Sequence, residues 1–253
     1  MAYIPSPSEY GLEVSRGKIT GSSAFRKFGA NGAVGTSATY IATLGGTSPY
    51  FPTAATTVRI KAGGNANDTA AGSGAQEITI LGVDQNWAEQ TVTLATAGAS
   101  ASSSTAVTFF RVYRAFVSKV GAYRGSNTGT ITIEATAGGD FAQIAAGYGQ
   151  SQGTGYVVPA GYSLYIKAVH IMAAAVKAVD IVFFQAPAAN VVAATFTGGK
   201  RVIQQYVGVT GQQDFAYDPP MKIAAYTDVW ATGLVASGTG SVSFEYNGFL
   251  IAN

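Results

Sequence analysis

At 253 residues with a formal net charge of +2, the chain is long enough for one large hydrophobic core or two smaller ones, and too weakly basic for a duplex-binding surface. It has no cysteine, which excludes disulfides and thiol chemistry and fits folding in a reducing compartment. Only 11% of its residues are charged, against about 25% in ordinary soluble domains. Threonine, serine, alanine and tyrosine must therefore cover much of the surface. Such a surface desolvates at low cost against a neighbouring subunit, although a neutral Thr-rich monomer has the same composition. No apolar run approaches the roughly 18 residues of a membrane span, and the start MAYIPSPSEYG lacks the basic and apolar parts of a secretory signal. Neither a membrane nor nucleic acid is expected as a direct partner.

Residues 1–30 read as an extended basic arm. Pro5, Pro7, Gly11, Gly17, Gly21 and Gly29 interrupt both helical and strand periods, and Arg16, Lys18, Arg26 and Lys27 outnumber Glu9 and Glu13. Phe25 and Phe28 flank the last two cations. Arg16, Lys18, Phe25, Arg26, Lys27 and Phe28 are thus candidate partner-binding residues that combine charge with burial. A frayed, solvated terminus is the competing reading.

Short strands are expected at 38–44 and 56–61, separated by LGGTSPYFP. The stretch 63–75, GGNANDTAAGSGA, is a flexible connector by composition. Its Asn65, Asn67 and Asp68 carry oxygen donors but lack the acidic spacing and closing glutamate of a calcium loop, so Asx turns are their expected use. No metal or cofactor is assigned. Strands at 76–83 and 90–95 form a hairpin whose wide loop holds Trp87, either a core plug or an interface anchor and hence a further partner-binding candidate. The Ala/Ser/Thr tract 97–106 reads as a mobile loop or as a segment covered by a partner.

In 108–119, TFFRVYRAFVSK, aromatics and Arg111 or Arg114 fall on both faces, which suits a central strand covered on both sides or an amphipathic helix, and the β-branched and aromatic content favours the strand. Residues 130–134 alternate cleanly, and 141–146 follow the turn at Gly138 and Gly139. GYGQSQGTG at 147–155 and the run Gly198, Gly199, Lys200, Arg201 imitate nucleotide loops, but neither has the spacing or the helix such loops require. The segment 156–171, YVVPAGYSLYIKAVHI, places two β runs around a turn at Pro159, Ala160 and Gly161. Strict alternation puts Tyr162, Leu164, Ile166, Ala168 and His170 in the core. It turns Ser163, Tyr165, Lys167, Val169 and Ile171 toward another strand or subunit. Strands at 178–185, 201–209, 221–226, 228–234 and 242–251 complete the series, with Asn247 and Gly248 marking a bulge or tight turn.

The fold class is therefore all-β, a β-sandwich or jelly-roll-like architecture with an extended N-terminal arm over 1–30. The sandwich occupies 31–253, within which 31–75 can form a loop-rich subdomain packed on 76–253. His170, the single histidine, lies mid-strand in an apolar run, a structural setting rather than that of a catalytic base, and no two of the thirteen acidic residues are marked as a dyad. No catalytic residue is assigned, and the chain reads as a non-enzyme.

The blocks SRGKITGSSAFRKFGANGAVGTS, PTAATTVRI, NDTAAGSGAQEITILGVDQNWAEQTVTL, FFRVYRAFV, NTGTITIEA, AQIAAGYGQSQ and VVPAGYSLYI, in that order, resemble virion structural proteins of tailed bacteriophages. The likeness runs nearly end to end. It implies a virion component with a β-sandwich architecture, assembled in the host bacterial cytoplasm, and carries no catalytic residue. The expectation is a capsid cement or decoration protein that stabilises the shell. Its partners would be the major capsid protein or other virion proteins and further copies of itself, a trimer being the expected form. A tail, neck or fibre component is the alternative, as is a glycan-binding receptor module that stacks sugars on Tyr50, Phe51, Tyr123 and Trp230.

Overall fold

The computed structural model describes residues 9–187 and 199–253; the first eight residues of the arm reading, and Gly198, lie outside them. One short helix, α1 (Tyr10–Ser15), precedes the strands β1 (Ser22–Val34), β2 (Thr39–Tyr40) and β3 (Val58–Ile60). Next come β4 (Ala75–Val83), β5 (Glu89–Ala95), β6 (Arg111–Val120), β7 (Ile131–Ala135) and β8 (Asp140–Ile144). The chain finishes with β9 (Tyr156–Val158), β10 (Tyr162–Ala173), β11 (Val179–Pro187), β12 (Arg201–Val209), β13 (Gly211–Ile223), β14 (Thr227–Val235) and β15 (Gly240–Ala252).

The all-β, sandwich-like expectation holds, in a form that the sequence does not announce. The strands make four antiparallel sheets around two main cores. In the first lobe the sheets β1-β15-β10-β13 and β12-β11-β14-β2, the latter also carrying β9 on β14, enclose Leu164, Ile166, Ile181, Phe183, Phe244 and Tyr246. In the second, β3-β7-β8 and β5-β4-β6 enclose Val58, Ile78, Ile80, Ile133, Phe141 and Ile144. Period-two burial is clearest in β5 and in β15, where Val242, Phe244, Tyr246 and Leu250 all point inward. β14 is different, because nearly every residue in it is buried. Its second face is covered by the cluster of Tyr40, Phe51, Phe184 and Trp230, so alternation has no solvent side on which to appear.

Three expectations need correction. The arm ends early: residues 22–30 belong to β1, which pairs with β15 from Ser22↔Ile251 to Val34↔Gly240. Gly29, read as a breaker, is required there, since a Cβ would sit 2.3 Å from the Ile41 carbonyl and 2.5 Å from the Thr154 nitrogen. The stretch 31–75 is not a subdomain either. β2 joins β14 in the first lobe, whereas β3 pairs with β7 in the second.

The third correction concerns β10. Leu164 and Ile166 point inward as expected, but the register then shifts: Ile166 opposes Gly248 and Ala168 opposes Asn247, leaving Lys167 as the extra residue of a bulge. Beyond it the faces exchange. Val169 and Ile171 enter the core, while Ala168 and His170 turn outward. Gly248 makes the bulge possible, because a Cβ there would lie 1.8 Å from the Tyr165 carbonyl.

Two other stretches find partners within the chain. Ser102 and Thr105 of the 97–106 tract accept the backbone N–H groups of Ile60 and Val58 through their hydroxyls, at 2.9 and 3.0 Å, so the tract lies along β3. Of the strand expected at 221–226, only 221–223 is strand, as the end of the much longer β13, and 224–226 form the bend into β14.

Candidate functional site

The lobes meet around Arg111 of β6 and Asp228 of β14. Both residues are buried, and the guanidinium donates to the carboxylate through Nε (3.0 Å to Oδ1) and Nη2 (3.1 Å to Oδ2). Nη1 donates to the Phe110 carbonyl at 2.8 Å, and the cation lies over the rings of Phe110 and Phe51, 4.1 and 4.9 Å from their centroids. Burial raises the Asp228 carboxyl above the usual carboxylate range, and Arg111 pulls it back down. This is a fork-to-fork ion pair that joins the two sandwiches.

Trp87 belongs to the same junction. It is 2% exposed and meets Phe110 and Tyr226 edge-on, with centroids 5.5 and 5.9 Å apart. Its backbone sits at φ 62°, in the turn after Asp84, and its carbonyl accepts the Ala160 N–H at 3.0 Å. The interface-anchor reading of Trp87 is therefore corrected: the indole is a plug between the lobes, out of a partner's reach.

The remaining partner-binding candidates divide by strand alternation. On β1, Phe25 and Lys27 point inward; Arg26 and Phe28 point outward. Phe25 packs on Tyr156 and Tyr246, its ring centroid 4.7 and 5.6 Å from theirs, and so belongs to the first core rather than to a docking surface. Arg26 pairs with Glu245 of β15 at 2.6 Å. Arg16 and Lys18 lie away from this cluster. Arg16 pairs with Glu13 at 2.9 Å at the end of α1, and Lys18 is exposed in the turn that follows.

Lys27 is the unusual member. It is buried, its ammonium donates to the Tyr113 carbonyl of β6, and desolvation, helped by Arg114, lowers its pKa to about 7. Beside it runs a groove of about 470 Å³ lined by Arg26, Lys27, Phe28, Arg114, Gln150, Ser151 and Glu245. Local sequence marks the first three as one cluster. Arg114, Gln150, Ser151 and Glu245 come from distant segments, and no local pattern in the sequence groups them with the first three.

Lys27 carries a pH signature. The unfolded chain holds this proton up to about pH 10.4, whereas the folded chain releases it near 7, so the unfolded state binds more protons in between. Stability is expected to rise with pH from about 7 toward 10, by up to about 1.4 kcal/mol per unit. Above that range the buried tyrosines, whose pKa values are raised by desolvation, reverse the trend. Chemical denaturation of the wild type and Lys27→Met across this window checks the expectation: the slope should vanish in the variant, and equal slopes would remove Lys27 as its source.

The outer face of β1-β15-β10-β13 carries a polar row. His170 Nδ1 lies 2.7 Å from Asp214 Oδ1, and its Nε2 lies 3.0 Å from the side-chain amide of Asn247. This geometry suits an imidazole that donates from Nδ1 and accepts at Nε2. The hydrogen bond from His170 holds the exposed Asp214 below the usual carboxylate range. Elsewhere Asp68 accepts three backbone N–H groups, from Ala75, Thr128 and Gly129, each at 2.8 Å, and Asn65 closes an Asx turn on the Asn67 N–H. These oxygens serve the loop itself.

Of the aromatics considered for sugar stacking, Trp230 is buried and Phe51 packs on it at 5.3 Å. Tyr50 packs on Phe141 at 4.9 Å, whereas Tyr123 is exposed. The four do not form a shared platform. A scan against protein-family models finds no match to this chain, and a search of curated proteins finds none either.

Proposed function

We propose that the chain is a structural component of a tailed-phage virion, a cement or decoration protein of the capsid shell that works by binding rather than catalysis. One observation carries this reading. The sheet β1-β15-β10-β13 packs one face on the first core, while its other face presents Phe28, Tyr165, Phe249 and Met172 among charged residues. Tyr10 of α1 partly covers Phe249, with ring centroids 5.1 Å apart, Phe28 and Tyr165 are half-buried, and Met172 is 57% exposed. A sheet face that mixes aromatic, methionine and charged side chains suits cover by a neighbouring subunit. The ordered blocks that resemble phage virion proteins support the same reading, with the major capsid protein and further copies of this chain as partners.

The test is the number of copies per purified particle, measured by quantitative mass spectrometry. Copies on the order of hundreds are expected for a component that follows the symmetry of the shell. A number near a dozen or below would overturn the shell assignment in favour of the tail or neck. Deleting residues 1–30 is not a clean test of anchoring, because it removes the edge strand β1 from its sheet. Met172→Asp, on the outer face, is the gentler probe of particle occupancy.

A further inference from the structure

The groove beside β1 holds more donors than acceptors. Arg26 and Glu245 satisfy one another, but among the described residues Lys27 has only the Tyr113 carbonyl. Arg114 meets the amide oxygen of Gln150 at 3.0 Å and the ring of Phe116 at 5.3 Å. Among the described residues, neither Lys27 nor Arg114 has a carboxylate within ion-pair distance. Two neutral donors line the same groove. The Gln150 amide nitrogen is left over once its oxygen accepts Arg114, and the Ser151 hydroxyl keeps its proton, because its oxygen accepts the Ala115 N–H at 2.9 Å.

A buried ammonium beside a guanidinium is unfavourable, and a single negative charge placed between them relieves both. The type of anion follows from the walls. A planar carboxylate matches the fork of Arg114, and the Phe28 ring offers an apolar seat for a short carbon stem. Glu245 at the same groove repels a dianion or a polyanion, so a phosphate or a nucleic-acid backbone fits less well than one carboxylate.

We propose that this groove is a carboxylate-binding site that receives an Asp or Glu side chain from a protein partner, with Lys27 and Arg114 as its cationic walls. The partner's origin rests on the assembly reading above; the ligand class rests on the groove alone. The site would fix where and in which orientation the chain docks, because a charge-assisted hydrogen bond at a desolvated position is both stronger and more directional than one at an exposed rim.

The experiment titrates the intact, isotopically labelled chain with the capped peptide acetyl-Ala-Glu-Ala-amide, its glutamine counterpart and inorganic phosphate, followed by nuclear magnetic resonance. The glutamate peptide is expected to shift the signals of Gln150, Ser151 and the Arg114 side chain in a saturable way. The glutamine peptide and phosphate should bind at least tenfold more weakly, the factor expected when a charge-assisted hydrogen bond is lost. Arg114→Gln, at an exposed position that leaves the cores intact, should weaken the glutamate peptide about tenfold. Lys119→Gln, which removes an exposed cation on the same strand, should leave binding unchanged. Equal binding of the two peptides, phosphate as tight as glutamate, shifts confined to other surfaces, absence of binding, or an unaffected Arg114→Gln would each overturn the proposal. Particle copy number is untouched by any of these outcomes, so failure of the groove and failure of the virion reading are told apart.

Discussion

Asp228→Ala is expected to destabilise the chain by about 3–5 kcal/mol in chemical denaturation, because it leaves the Arg111 guanidinium buried without its counter-charge. The side chains are only 5% and 3% exposed, so water cannot take over the lost contacts. The rings of Phe51 and Phe110 remain and offset part of the loss, but a cation–π contact contributes only about 0.5–2 kcal/mol. The double variant Arg111→Met with Asp228→Leu should recover most of the stability, since the cost of burying both charges disappears with the pair. This expectation fits the upward pull that burial exerts on the Asp228 carboxyl. If the double variant is as unstable as the single one, packing between the lobes rather than the uncompensated charge is responsible.

Trp87→Ala is expected to cost about 3–5 kcal/mol, with the loss read as a lower denaturation midpoint. The indole fills the space between Phe110, Val157 and Tyr226, and the surrounding backbone is held by the Asp84 turn and the Ala160 N–H, so the cavity collapses poorly. Alanine also inherits a positive φ that it tolerates no better than tryptophan. An interface role would show the opposite pattern, with normal stability and lost particle binding. Since Trp87 and the Arg111 guanidinium lie 5.7 Å apart, the losses from Trp87→Ala and Asp228→Ala should not add.

Much of the fold was legible because strand physics is local. β15 shows its alternation directly, and the turn at Pro159, Ala160 and Gly161 follows from backbone preferences alone, whereas in β7 the alternation stops at Ile133 because Glu134 is buried too. β1 was hidden for an equally physical reason. Its inward residues near the cluster are Phe25, Lys27 and Gly29, one aromatic, one cation and one glycine, so no hydrophobic period marks it. What makes it a strand is β15, more than two hundred residues away. The candidate groove was legible by half. The adjacency of Arg26, Lys27 and Phe28 is written in the chain, but which of them is buried depends on which face β1 turns to its sheet.

By itself, then, the amino-acid sequence determined an all-β chain of low charge, without disulfides, punctuated by glycine and proline turns. Those properties depend on composition and on neighbours a few residues apart. The tertiary structure alone decided the division into two sandwiches, the burial of Trp87 and Arg111 between them, and the meeting of Lys27 with Arg114. It also decided the exchange of faces along β10, where one extra residue, Lys167, sends Val169 inward and His170 outward. The reason is common to all of these: a strand has two faces, and only its pairing with distant partners, including any bulge they impose, selects which one enters the core.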